Sequence, residues 1–509
     1  MARLFDRVQL RKPALNKFDL SHERKMSLDM GKLIPIVVQD VLPGDRFRVK
    51  TEIMLRMSPM LAPIMHRVNV FTHYFFVPNR LLWKDWEDFI TGGRLGTTLP
   101  TAPYVDTTVA DDNVTSGVGS LWDYMGLPTL TVGGVTQNTK VSVLPFRAYQ
   151  LIYDEYYRDQ NLEAKVTEFA AFKDGGAVTG GIWAGLLDQL RTRAWEKDYF
   201  TSALPFAQRG AVTQVPLSNT PIGNGTQAFR ADTGALFPAG EDVVIGAAGQ
   251  LVGSVTGAMN LAPTGHGINV NELRRSLRLQ EWLEKNARGG ARYVEQILQH
   301  FGVESKDARL QRPEYLGGGK SPVVISEVLS NYQVVGGNPQ GTMAGHGVSF
   351  GTSNGFTRRF DEHGYVFGIM SVLPKTAYQQ GIPRHFTRFD KFDYPWPEFA
   401  QIGEQEVLNK ELYYSGITLP DTTFGYQSRY AECKYGCSSV HGEMKGTLSF
   451  WHMGRIFTSA PVLNTAFVTA DPTTRIFAVT AGSNNKLYCQ LYNKVDALRP
   501  LPYFGTPTL

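Results

Sequence analysis

A chain of 509 residues with 51 Lys+Arg against 47 Asp+Glu carries a net charge of only +4. That is too little for a dedicated nucleic-acid binder, whose clustered basic residues lift the pI above about 9. Aromatic residues make up 12% and charged residues 19% of the chain, which excludes a disordered polymer and leaves apolar surface for subunit contacts. Three cysteines, Cys433, Cys437 and Cys489, are too few for a disulfide framework and indicate a reducing compartment. MARLFDRVQLRKPALNKFD at the start has no apolar core of a secretory signal. No apolar run reaches the roughly 18 residues of a membrane span.

Residues 1–32 form a polar, mildly basic arm containing Arg3, Arg7, Arg11 and Lys12. Such an arm either lies on a neighbouring surface or touches phosphate. From Leu33 onward IPIVVQDVLPGDRFRVKTEIMLRMSPM gives β-branched runs broken by Pro35, Pro43, Gly44 and Pro59. VNVFTHYFFVP (68–78) reads as a strand buried on both faces. Leu82, Trp83, Trp86, Phe89 and Ile90 then recur at helical spacing. Residues 91–141 are Gly/Thr/Val/Asp-rich and read as a surface excursion. Phe146–Glu163 returns to helical spacing, and its Tyr149, Tyr153, Tyr156 and Tyr157 are either packing residues or a base-stacking platform.

Residues 210–268 lose nearly all charge and most aromatic content, as a surface loop or small β-rich insertion does. A helix follows from Asn271, with Leu273, Leu277, Leu283 and Ala287 on one face. Gly289 and Gly290 interrupt it, and a second stretch runs to Gly302. GGGKS (317–321) resembles the end of a phosphate-binding loop, but the position of the leading glycine holds Glu314 and Pro322 blocks the helix that should follow. The glycines read instead as a hinge ahead of a strand. Strand signals then dominate in VVISEVLS, YVFGIMSVLP, EMKGTLSFWHMGRIF, TRIFAVTAG and NKLYCQLYNKV.

Chemistry-bearing patterns are sparse. Cys433, Cys437 and His441 have a permissive metal spacing without a fourth ligand at a usual interval. No catalytic residue and no cofactor fingerprint stands out. The alternative to a structural protein is a secreted β-rich carbohydrate-binding protein or hydrolase. It would require a signal peptide and carboxylates converging from separate strands.

Several long phrases decide between these. PGDRFRVKTEIMLRMSPMLAPIM, FFVPNRLLWKDWEDFITGG, YFTSALPFAQRG, NELRRSLRLQEWLEKNARGGARYVEQILQHFGV with DARLQRPEYLGGG, FAQIGEQEVLNKEL and RYAECKYGCSSVHGEM follow in this order. Together they resemble the major capsid proteins of the Microviridae, in the gokushovirus-like branch of single-stranded-DNA bacteriophages. The resemblance implies a mainly β fold: an eight-stranded antiparallel viral jelly-roll barrel with long loop insertions and a few helices. That domain would be discontinuous over 1–509, with a basic arm at 1–32, a variable loop at 91–141 and an insertion at 210–268 forming a threefold protrusion that contacts a host surface receptor. It further implies about 60 copies in pentameric units closing a T=1 shell, assembled in the bacterial cytoplasm around circular single-stranded DNA, without membrane insertion. Encoding this chain alone takes about 1,500 nucleotides, each with one backbone charge, whereas 60 copies at +4 supply about 240. A separate small basic DNA-binding protein is therefore expected. The residues expected to face DNA are Arg3, Arg7, Arg11, Lys12, Arg274, Arg275 and Arg278.

Overall fold

The computed structural model describes residues 14–91, 99–106, 117–129, 140–178, 180–211, 242–245, 251–254, 270–290, 292–302, 304, 306–329, 343–352, 355–414, 416, 422–479 and 485–504. The chain divides into two compact units, Met1–Ala207 with Gly289–Leu509, and Gln208–Arg288. The first is mainly β and antiparallel.

Eleven strands make its two principal sheets: β1 (Asn16–Asp19), β2 (His22–Leu28), β3 (Ile34–Val41), β4 (Arg46–Met57), β5 (Val68–Pro78), β6 (Glu314–Pro322), β7 (Val324–Leu329), β8 (Met343–Thr352), β9 (Phe356–Arg359), β10 (Gly364–Pro374) and β11 (Leu487–Arg499). A seven-stranded sheet runs β1-β11-β4-β8-β7, with β2 also on β11 and β9 also on β4. A four-stranded sheet runs β6-β5-β10-β3. The chain crosses between them repeatedly, passing from β3 to β4 through Pro43 and a left-handed Gly44. The expected barrel is not closed: among the described residues the two sheets share no hydrogen-bonded strand pair. At the β3–β4 crossing, Pro43 and left-handed Gly44 turn the backbone out of one sheet before its ladder can continue.

Burial follows the sequence pattern. In β4 and β11 every second side chain is buried, so one face of the larger sheet is core and the other is open. β5 and β10 are buried along nearly their whole length, as 68–78 predicted. Their inner face joins Phe47, Val49, Leu55, Leu491 and Val495 of the larger sheet in one apolar cluster with Val70, Tyr74, Phe76, Met370 and Val372. Their outer face, with Phe75, Val77, Phe367 and Ile369, is covered by Trp83, Trp122, Phe146, Tyr149 and Trp183. Leu144–Ile152 supplies much of this cover as helix α1, continuing into a π-helical turn at Tyr153–Tyr157.

A buried polar chain ties the sheets together. Tyr74 Oη (β5) donates to Thr51 Oγ1 (β4) at 2.7 Å, and Thr51 Oγ1 donates to Asn493 Oδ1 (β11) at 2.8 Å. Asn493 Nδ2 donates to the Ile36 carbonyl (β3) at 2.9 Å. The β3–β10 register jumps between Gly368 and Ile369, skipping Ile36. The asparagine thus satisfies a bulge carbonyl that the ladder leaves over.

Three expectations are corrected here. The glycines of GGGKS are not a hinge: they lie within β6, paired to Thr72–Tyr74 of β5. Gly317 takes the positive φ at the bulge, and a Cβ on Gly318 would sit 2.5 Å from the Thr72 carbonyl oxygen. Glycine is needed there for close strand contact, not for hinge motion. Residues 443–457 form 3-10 turns and irregular chain instead of a strand. Arg475 takes their carbonyls, donating to Ser449 O at 2.9 Å, His452 O at 3.1 Å and Gly454 O at 2.8 Å, which leaves them satisfied without a ladder. Residues 474–479, the described start of TRIFAVTAG, likewise contain a turn and an isolated bridge rather than a strand.

The second unit has a hairpin, Asp242–Ile245 with Leu251–Ser254, and helix α2 (Val270–Gly289, its last residue assigned to the first unit). Most of 210–268 lies outside the described residues. In the first unit α3 (Tyr293–Phe301) ends at a left-handed Gly302, and the following DARLQRPEY turn is fixed by Asp307, which accepts Arg312 Nε at 2.7 Å and the Tyr315 N–H at 3.2 Å.

Candidate functional site

The open face of the seven-stranded sheet is the strongest functional surface in the first unit. The period-two pattern RFRVK places Phe47 and Val49 in the core and Arg46, Arg48 and Lys50 outside. β11 contributes Lys494 to the same face and β9 contributes Arg359. Register then sets like charges directly opposite one another at two places, Lys50 with Lys494 and Arg46 with Arg359, while Arg48 faces Asp496. Directly opposed like charges weaken a strand pair by a few tenths to about 1 kcal/mol. Among the described residues Arg46, Arg48, Lys50 and Lys494 make no ion pair. At the rim, Lys17 and Asp496 do, at 2.8 Å. The Lys17 ammonium is held above its usual pKa by that hydrogen bond and charge.

Further along, the same face exposes Tyr488 and Tyr492 of β11 and Phe350 of β8. Tyr492 lies opposite Glu52, and Phe350 opposite Met54. Unpaired cations beside exposed aromatic rings on one sheet can bind phosphates and stack bases of a single strand. The sequence carried this surface in plain alternation, R-F-R-V-K, yet a near-neutral total charge hid it, because acidic residues, Glu52 and Asp496 of the same two strands among them, cancel the count.

The candidates singled out from sequence fall elsewhere. Arg3, Arg7, Arg11 and Lys12 lie outside the described residues. Arg274, Arg275 and Arg278 are exposed on α2, and Arg278 pairs with Glu281 at 2.6 Å. The tyrosines of 149–157 are not a stacking platform. Tyr149 is buried, donating to Leu33 O at 2.9 Å, and Tyr157 Oη meets His73 Nδ1 at 2.7 Å. Tyr153 donates to Glu163 at 2.7 Å and Tyr156 to Pro313 O at 2.5 Å. Burial pushes all four phenols above their ordinary pKa. Their rings fill the gap between α1 and the four-stranded sheet, as with Tyr156 against Phe75 at 4.8 Å.

Cys433 and Cys437 are exposed free thiols. Cys433 Sγ accepts Arg388 Nη2 at 3.5 Å, and His441 Nε2 meets Ser439 Oγ at 2.8 Å. Their segment is a 3-10 turn and loop, not the strand that would set the two thiols on one face. Among the described residues no three His, Cys, Asp or Glu side chains converge to hold a metal ion, and no helix is long and apolar enough to cross a membrane.

Broad antiparallel sheets, long connecting segments and an open face rich in cations fit a structural protein of the shell-forming class. Comparison makes this specific: the family described as Capsid protein (F protein) matches residues 7–509, and the chain belongs to it. It is 34% identical to capsid protein VP1 of Chlamydia phage 1, 33% to that of Bdellovibrio phage phiMH2K and 31% to that of Spiroplasma virus 4. Each alignment covers 97% of this chain and 95% of the relative. The chain is thus a phage capsid protein, part of the virion and not an enzyme.

Proposed function

We propose that this capsid protein closes a T=1 shell of about 60 copies around a circular single-stranded DNA genome, with the open face of the seven-stranded sheet turned toward the DNA. The carrying observation is the two pairs of opposed cations, Lys50/Lys494 and Arg46/Arg359 (the latter arginine also 3.8 Å from Asp361), next to exposed Tyr488 and Tyr492. A polyanion relieves the repulsion between these opposed cations. The strand orders β2-β11-β4-β8 and β3-β10-β5-β6, with the chain crossing repeatedly between sheets, support reading the two sheets as a viral jelly roll. Arg3, Arg7, Arg11, Lys12, Arg274, Arg275 and Arg278 are proposed as additional DNA contacts. A small basic protein supplies the neutralisation that the shell lacks. Residues 210–268 serve host attachment, a role refuted if their deletion leaves adsorption unchanged. Assembly takes place in the bacterial cytoplasm.

Titrating purified subunits with single-stranded DNA at several salt concentrations tests the DNA face. Replacing Arg48 and Lys50 with Gln should flatten the slope of log affinity against log salt by about 0.7 per residue. Salt-insensitive binding, or an unchanged slope in the double variant, refutes the assignment.

A further inference from the structure

The segment RHFTRFDKFDYPWPEFAQI (384–402) displays a second surface. Phe386, Phe389, Phe392, Tyr394 and Trp396 stand between 46% and 91% exposed, with Phe389 the most exposed, and Ile402 extends the patch. Together the five aromatic residues leave bare the equivalent of about three whole side chains, on the order of 450–750 Å². The largest apolar patch on an ordinary monomer is about 300–600 Å².

This patch is held in shape from beneath. Arg384 Nη1 reaches Glu411 Oε1 at 3.1 Å, and Arg388 Nη2 reaches Glu432 Oε1 at 2.9 Å. Glu411 is buried and also accepts Tyr199 Oη at 2.9 Å and the Leu408 N–H at 3.0 Å. Gln405 Nε2 donates to Glu432 at 2.6 Å. Within the segment, Asp393 accepts the N–H groups of Phe389 and Asp390, both at 2.9 Å. Trp396 Nε1 donates to Lys391 O at 2.8 Å, and Pro395 and Pro397 flank the tryptophan. A loop held by internal ion pairs and hydrogen bonds while its rings are exposed has already met much of the ordering cost of binding.

We infer that residues 384–402 are a preformed contact between copies of this chain, with the rings of Phe386 and Phe389 entering a second copy as the apolar centre of the interface. The inference rests on the shell-forming reading above and names a surface that does the joining. Area decides the occupant. A stable contact buries about 800 Å² per partner around an aromatic centre, and this patch supplies most of that from one segment. A capsid protein always has such a partner at hand in its own copies.

The test uses the full chain. A photo-crosslinking benzophenone amino acid at position 389 should join chain to chain in assembled particles on irradiation and give no crosslink in unassembled subunits. The double variant Phe386→Ser, Phe389→Ser should keep the circular dichroism and melting temperature of the subunit while particle yield falls about tenfold or more. Assembled particles without chain-to-chain crosslinks overturn the inference, as does a double variant that assembles like the parent. Crosslinking only to a different virion protein, or loss of adsorption alone, overturns it as well. An unmodified chain that never forms particles overturns the shell reading itself, a pattern distinct from all of these.

Discussion

Replacing Asn493 with Leu cuts the polar chain between the sheets at its centre. The substitution nearly preserves volume, so the cost falls on polar groups. The Ile36 carbonyl loses its donor and the Thr51 hydroxyl loses its acceptor, both in the core. The unsatisfied Ile36 carbonyl costs about 1–3 kcal/mol and the lost Thr51 hydrogen bond about 0.5–1.5 kcal/mol, so together they should destabilise the subunit by about 1.5–4.5 kcal/mol, less whatever the added apolar contact returns. Thr51→Val alone removes the middle of the chain and takes from Tyr74 Oη its acceptor at 2.7 Å. Urea unfolding of unassembled subunits, followed by tryptophan fluorescence, gives the single and double variants. The double variant should cost clearly less than the two singles added, with a coupling of about 1 kcal/mol or more. An Asn493→Leu variant within about 0.5 kcal/mol of the parent, or strictly additive singles, would refute the claim that this network joins the sheets.

Acid should weaken the subunit through His73. Burial first, and the nearby Arg193 charge second, depress this imidazole from 6.5 to about 4. The unfolded chain therefore takes up a proton at a pH where the folded chain does not. Stability is fully present above pH 6.5 and is lost as pH falls toward 4, by about 2–3 kcal/mol at pH 4.5. His73→Gln should lose correspondingly less between pH 7 and pH 4.5 by urea midpoint, and an identical loss would refute the assignment. Gly318→Ala forces a Cβ against the Thr72 carbonyl at 2.5 Å and should destabilise by about 1–3 kcal/mol, whereas a true hinge would accept alanine; differential scanning fluorimetry separates the two. Arg475→Met strips donors from three carbonyls of 449–454 and should raise amide exchange and protease cleavage across that loop while leaving cleavage elsewhere unchanged.

Where burial alternates or is complete, the sequence was an open guide. The doubly buried 68–78 strand and the one-sided 487–499 strand follow from side-chain type alone, because period two and the count of apolar faces settle them. The failures share a cause. At 443–457 the apolar run looks like a strand, but its carbonyls go to Arg475, a donor distant in sequence. At 317–319 three glycines look like a hinge, but the demand is close approach to β5, visible only once β5 is beside them. The tyrosines of 149–157 were legible as helical, whereas their hydroxyl partners at Leu33, His73 and Pro313 come from three remote segments. The cationic sheet face was written in RFRVK, but its meaning depends on Lys494 lying opposite Lys50, a register that pairs residues more than 400 positions apart.

The most direct measurement is a cryo-electron-microscopy reconstruction of particles formed by the full chain. The expected result is a closed icosahedral shell of 60 subunits in which Arg46, Arg48, Lys50 and Lys494 line the lumen against nucleic-acid density. Open or absent particles, or a shell carrying that cationic face on its exterior, would contradict it.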